Sequence, residues 1–176
     1  MVNQNFSRAP QAGEYPPYFE TYLALVDETD IFAVLESQIG ELRGFLGDRP
    51  ESMMDEVHEP YTWTIKQALG HVIDTERIFG YRACCIAANE EADLPGFDQD
   101  AYVANSSYSE VSAAELMDEL DALRRGNLAM LKRMHPEYWD RSGRADGKAI
   151  TVRTLAYLLV GHVRHHQRIF EQRLAV

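Results

Sequence analysis

Residues 151–173 read TVRTLAYLLVGHVRHHQRIFEQR, and this stretch decides the fold. Leu155, Leu158, Leu159, Ile169 and Phe170 recur at three- and four-residue steps, which at about 100° per residue is the period of an amphipathic helix. Thr151 stands at the N-cap, where a hydroxyl can accept from a free amide of the first turn. The apolar stripe is interrupted in its middle by His162 and His166. Residues four apart on a helix have β-carbons roughly 5–6 Å apart, so both rings can reach one cation without straining the backbone. Buried imidazole nitrogens without partners would cost on the order of 1–3 kcal/mol each, and a divalent ion removes that cost. His165 lies towards the edge of the stripe and is expected in an outer shell or at the surface.

Outward from this segment, three more carry the same period. After Asp30 the apolar positions Ile31, Val34, Leu35, Ile39, Leu42, Phe45 and Leu46 form one, ended by Gly47 and Pro50. Thr64 with Gln67 makes a capping box for a second helix, from Ile65 to about Asn89. Ser112 with Glu115 makes another, opening a third helix through Leu116, Leu120, Leu123, Leu128 and Leu131 to about Met134. Before them, an irregular arm with Pro10, Gly13, Pro16 and Pro17 leads into a short helix over Tyr18 to Val26. The stretch from Asn89 to Tyr108 shows no regular period; loops of that length are functional or conceal a short helix. Residues 135–150 read as a loop with a helical turn at Glu137 to Asp140. No segment alternates apolar and polar residues, so no strand is expected. Four helices of about twenty residues, each with one apolar stripe, bury those stripes most simply as an all-α four-helix bundle.

The composition agrees. At 176 residues, 45% hydrophobic and 26% charged, the chain has the length and make-up of one folded domain. Its net charge of −11 opposes phosphate backbones and anionic lipid, so neither nucleic acid nor a membrane is an expected partner. No apolar run reaches signal-peptide or membrane-span length. With only Cys84 and Cys85, adjacent in sequence, no disulfide framework can form, and a cytoplasmic location fits. Late in the second helix, these cysteines are expected to fill core rather than bind metal.

Two histidines leave a metal site incomplete. His71, in Ala68-Leu69-Gly70-His71-Val72-Ile73 on the second helix, is the candidate third ligand. It borders the stripe Ile65, Ala68, Val72 and Phe79, which suits a seam between helices. If the helices alternate in direction, the second and fourth run parallel, and His71 and His162 stand at similar depth after their caps Thr64 and Thr151. His58 and His135, beside Pro60 and Pro136 in polar connectors, stay outside the site. Glu76 could orient a ligand imidazole or pair with Arg77 or Arg82, and Asp74 is expected to be exposed. Phe97, Asp98, Asp100 and Tyr102 could line a mouth above the metal.

Trp63-Thr64-Ile65-Lys66-Gln67-Ala68-Leu69-Gly70-His71 with Asp74-Thr75-Glu76, and Gly161-His162-Val163-Arg164-His165-His166, resemble the two motifs of the DinB-like family of four-helix metalloproteins, also called the YfiT-like fold. The resemblance runs from about Asp30 to Leu174. It implies a single DinB-like domain over 1–176, with the arm and short helix in 1–28 and the bundle in 29–174. It also implies a divalent metal held by His71, His162 and His166, most often zinc or nickel, with iron or manganese as alternatives. Family members include S-transferases using the low-molecular-weight thiols bacillithiol, mycothiol or glutathione, and others assigned as hydrolases or isomerases. A homodimer is implied as well, and Phe6, Tyr15, Tyr18 and Phe19 of the arm offer aromatic surface for it.

Three neutral ligands leave a cation its full charge and an open position, the pattern of catalytic rather than structural zinc. Such an ion brings a bound water towards a pKa of about 7 and deprotonates a bound thiol outright. The residues therefore admit a thiol S-transferase or a hydrolase acting on a small electrophile. A non-catalytic module, in which the ion is structural or sensory, is the alternative. Val163 stands where a His-Glu-x-x-His protease has its glutamate, so peptidase chemistry is disfavoured.

Overall fold

The computed structural model describes residues 8–28, 30–89 and 91–175. In chain order the helices are α1 (Glu20–Leu23), α2 (Ile31–Gly47), α3 (Glu51–Met54), α4 (Ile65–Ala88), α5 (Gln99–Ala104), α6 (Ala113–Arg133) and α7 (Val152–Leu174). Three of the four long ones, α4, α6 and α7, begin at the caps legible in the sequence, and α2 is capped by Asp30. Asp30 accepts from the Ala33 amide at 3.2 Å, and Thr151 from the Thr154 amide at 3.2 Å. Thr64 and Gln67 exchange bonds of 3.1 and 2.9 Å, and Ser112 and Glu115 bonds of 3.2 and 2.9 Å, so both capping boxes are complete. None of the helices is long and apolar enough to cross a membrane.

Three short strands depart from the all-helical expectation. They are β1 (Asp93–Leu94), β2 (Ser142–Ala145) and β3 (Lys148–Thr151). Strands β2 and β3 form a hairpin with Ala145 opposite Lys148, and β1 lies parallel to β2. The hairpin turn is Asp146-Gly147, with φ of 53° and 68°. Two successive positive φ angles make the turn whose twist matches paired strands, and Asp-Gly is a preferred dipeptide for it. That dipeptide was the signal for a hairpin where a loop was expected. The Asn89–Tyr108 stretch conceals α5, capped by Asp98, and α3 forms in the connector before α4.

Packing also differs from a simple alternating bundle. Helix α4 lies between α6 and α7, and α2 packs on α6 and α7 from the other side, so α2 and α4 are diagonal. Arg173 near the end of α7 donates to the Trp63 carbonyl before α4 at 2.8 Å, whereas Arg141, ahead of α7, donates to the Ala87 carbonyl at the end of α4. Helices α4 and α7 are therefore antiparallel, which corrects the expected parallel arrangement. Helices α4 and α6 run the same way: a Cβ on Gly70 would strike Tyr108, just ahead of α6, and one on Gly80 would strike Asn127 within it. Two successive long helices can point the same way only if the chain returns along the bundle between them. The segment 89–112 makes that return, which is why it is long.

Two apolar clusters fill the bundle, and every long helix passes from one to the other at a polar residue. Helix α2 crosses between Leu35 and Ile39 at Gln38, and α4 between Ile73 and Phe79 at Thr75 and Glu76. Helix α6 crosses between Leu120 and Leu131 at Arg124, and α7 between Val160 and Val163 at His162. A buried polar layer thus cuts the core at mid-height, and the histidines belong to it.

Candidate metal centre

The structure brings His71, His162 and His166 together, all buried, with one donor atom of each within 4.8 Å of the others. The Nε2 atoms of His71 and His162 face each other at 3.1 Å, and the ring centroids of His162 and His166 are 4.6 Å apart. Antiparallel packing achieves the meeting that parallel packing was expected to give, because it sets the first third of α4, with His71, against the middle and later part of α7, with His162 and His166. His166 Nδ1 is buried without a hydrogen-bond partner. Such an orphan costs about 1–3 kcal/mol and fits a donor that awaits a cation.

Electrostatics favour the ligand form of all three rings. Burial holds His71 down to about 4, and it holds His162 and His166 well below the ordinary 6.5, each lowered further by neighbouring histidines. Removal from water penalises the imidazolium, so at neutral pH these rings are uncharged and keep a lone pair for a metal. Aromatic rings close round them. Trp63 packs on His71 with centroids 5.2 Å apart, Tyr22 of α1 on His162 at 5.3 Å, and Phe79 on His162 at 6.1 Å. Tyr22 comes that near because Gly161 lets the α1 backbone lie directly on α7.

The remaining candidates fall elsewhere. His165 is half-buried and edge-on to Tyr22 at 5.1 Å. His58 lies 3.3 Å from Arg173, and exposed His135 lies 3.8 Å from Glu137; neither joins the cluster. Glu76 does form a salt bridge, although with neither Arg77 nor Arg82. Both its oxygens take bonds of 2.9 Å from Arg124 of α6, and Asn127 adds another at 2.9 Å. Arg124 also donates to Gln38 at 3.1 Å and to the Leu159 carbonyl at 2.8 Å, while Gln38 donates to the Val160 carbonyl at 2.9 Å. The network grips α7 just before His162 and α4 just after His71, so Glu76 holds the ligand-bearing helices rather than a ligand. Arg124 escaped the sequence reading because nothing local marks an arginine on a leucine stripe as buried.

Asp74 is half-buried and paired with Arg77 at 3.3 Å, not exposed. Cys84 is exposed and Cys85 half-buried, so neither fills core: they lie off the Phe79, Ala83, Ile86 face that meets α7 and the hairpin. Two cavities open beside the histidines. One, of about 310 Å³, is lined by His166, Trp63, Tyr61, Asp100 and Arg173; the other, of about 210 Å³, by His71, His162, Thr75, Arg82 and Phe97. Gln99 of α5 reaches both. Of the four residues expected at a mouth, Phe97 and Asp100 line the cavities, Asp98 caps α5, and Tyr102 packs on Phe97 at 5.5 Å.

An up-down-down-up bundle with three buried histidines donated by two antiparallel helices defines a class, and sequence comparison agrees. The sequence model of the DinB superfamily matches residues 35–170, and the chain belongs to that superfamily. Among solved structures it is similar to YfiT from Bacillus subtilis, a probable metal-dependent hydrolase with an unusual four-helix bundle topology, at 18% identity and a TM-score of 0.75 over 99% of each chain. No curated protein sequence matches the chain.

Proposed function

We propose that this protein is a metal-dependent enzyme that holds a divalent cation on His71, His162 and His166 and acts on a small electrophilic substrate, by hydrolysis or by transfer to a low-molecular-weight thiol. The carrying observation is the convergence of three buried, uncharged imidazoles on one point, with an orphaned nitrogen among them. Imidazole donors suit zinc and nickel, and iron too. When bound, the ion supplies Lewis acidity, enough to bring a water near neutral pKa or to ionise a thiol.

The chain's own residues do the rest. The three rings leave a side open towards the two cavities, while Trp63, Tyr22 and Phe79 cover their edges against bulk water. The Arg124–Glu76 network keeps α4 and α7 at fixed separation, so the donors are positioned before a ligand arrives. Hydrolysis is the first reading because the structurally similar YfiT is a probable metal-dependent hydrolase. The reading includes a cytoplasmic homodimer.

Elemental analysis of untagged protein, followed by a thiol panel assayed against a generic electrophile, is the test. We expect about one divalent ion per chain and loss of both metal and turnover in His166→Ala. Turnover that survives loss of the metal overturns the enzymatic role; wild-type protein that neither holds nor takes up metal overturns the site.

A further inference from the structure

The cavity beside His71 and His162 contains more than metal ligands. On α4, His71, Thr75, Phe79 and Arg82 follow at steps of four, four and three residues and line one face of that cavity. Arg82 is only 6% exposed. Buried arginines ordinarily sit against a carboxylate, since an unpaired buried charge is expensive. Arg124 and Arg153 obey this rule, with Glu76 and Asp140, and Arg173 departs from it but gives its donors to the Glu56 and Trp63 carbonyls and lies against His58. Arg82 does not obey it either: among the described residues its guanidinium makes one hydrogen bond, to the Pro95 carbonyl at 2.8 Å, and lies 5.8 Å from the Phe97 ring centre, while the Asp146 carboxylate acts on it only through space, without an ion pair. Pro95 and Phe97 belong to the return segment, so one donor of the fork is taken there, and the other four have no hydrogen-bond partner among the described residues on a side chain that lines the cavity.

A second, independent feature points the same way. Thr75 is 2% exposed, and its hydroxyl is buried without a hydrogen-bond partner. A threonine on a helix can return its hydroxyl to the carbonyl four residues back; this one does not. Thr75 with its unpaired hydroxyl, Arg82 with no carboxylate at bonding distance, and Gln99 thus line one small chamber next to the histidines.

We propose that this chamber binds the carboxylate of a small-molecule substrate, with Arg82 taking the two oxygens and Thr75 donating to one of them, so that the reactive end of the molecule faces His71 and His162. A planar fork matches a carboxylate bidentately. A phosphate dianion asks for more positive charge than this chamber contains: Arg82 is the cationic side chain on its lining, in a chain of net charge −11. Eleven positions apart on α4, the α-carbons of His71 and Arg82 are separated by about 16 Å along the helix, and the arginine side chain spans part of that distance. The remainder suits a compact acid rather than a peptide. This assignment rests on the reading of the histidine cluster as the reactive end of the site.

The test separates the two. Benzoate, benzamide and phenyl phosphate are titrated into chelator-treated protein by calorimetry or ligand-observed NMR, so that no metal can itself capture the acid. Metal content is measured in parallel on untreated protein. Benzoate is expected to bind about tenfold or more tightly than its neutral amide. That preference should disappear in Arg82→Gln, return in part in Arg82→Lys, and fall several-fold in Thr75→Val, which removes no existing bond. Metal content should be unchanged in all three variants. Equal binding of acid and amide by the wild type overturns the proposal without any variant having to fold. So does a preference that survives Arg82→Gln, or tighter binding of phenyl phosphate. Loss of the metal reading alone would leave the acid preference intact.

Discussion

At the scale of single residues, the buried pair Glu76–Arg124 is decisive because each member is 2% exposed and neither can reach water if the other is removed. Breaking a buried pair from one side costs about 3–5 kcal/mol. Glu76→Ala is expected to lose stability in that range by urea unfolding, and to weaken metal retention although it touches no ligand; a loss below about 1 kcal/mol would refute the role assigned to it. The histidines set the pH response of the metal-free protein. His71 is held at about 4 by burial, below its ordinary 6.5, so between those values the unfolded chain binds the extra proton. Stability is therefore full above pH 6.5 and declines as the pH falls towards 4. For His71 alone the decline is roughly 3 kcal/mol, and His162 and His166 act in the same direction. Chelator-treated protein should show a lower urea midpoint near about pH 5 than near about pH 7; equal midpoints would contradict the burial of neutral imidazoles.

At the scale of elements, caps and turns were local and so legible. Thr64 with Gln67, Ser112 with Glu115, and Thr151 mark three helix starts, and Asp146-Gly147 marks a hairpin. Strands of four residues are too short for alternation to stand out, so only the turn carried the signal. The seating of α1 could not be read in this way. It depends on Gly161, where an added β-carbon would meet the backbone of Tyr22. Gly161→Ala should force α1 off α7 at a cost of about 1–3 kcal/mol and uncover His162. Thermal unfolding measures the first effect and modification of His162 by diethyl pyrocarbonate the second; an unshifted melting temperature would show that the arm yields freely. Of the arm's aromatics, Phe19 is core, Tyr15 and exposed Tyr18 are not, and Phe6 lies outside the described residues.

At the scale of the whole molecule, the two same-direction helices α4 and α6 oblige the chain to cross back along the bundle, and that crossing supplies Phe97 and Gln99 to the cavities and the Pro95 carbonyl to Arg82. A bundle with short alternating hairpins would leave the histidines without this cover. The homodimer implied by the family resemblance predicts a mass of twice 20.1 kDa at sedimentation equilibrium; the mass of one chain at micromolar concentration would argue against it.

Period, caps and the break in one apolar stripe were enough to locate four helices and to nominate His71, His162 and His166, because each of these signals lies within a few residues along the chain. Helix direction, the partner of Glu76, the exposure of Cys84, and the lack of an ion pair at Arg82 were decided only in three dimensions. Each depends on which distant segment lies opposite, and pairing between distant segments is set by the packing of whole faces rather than by any local pattern.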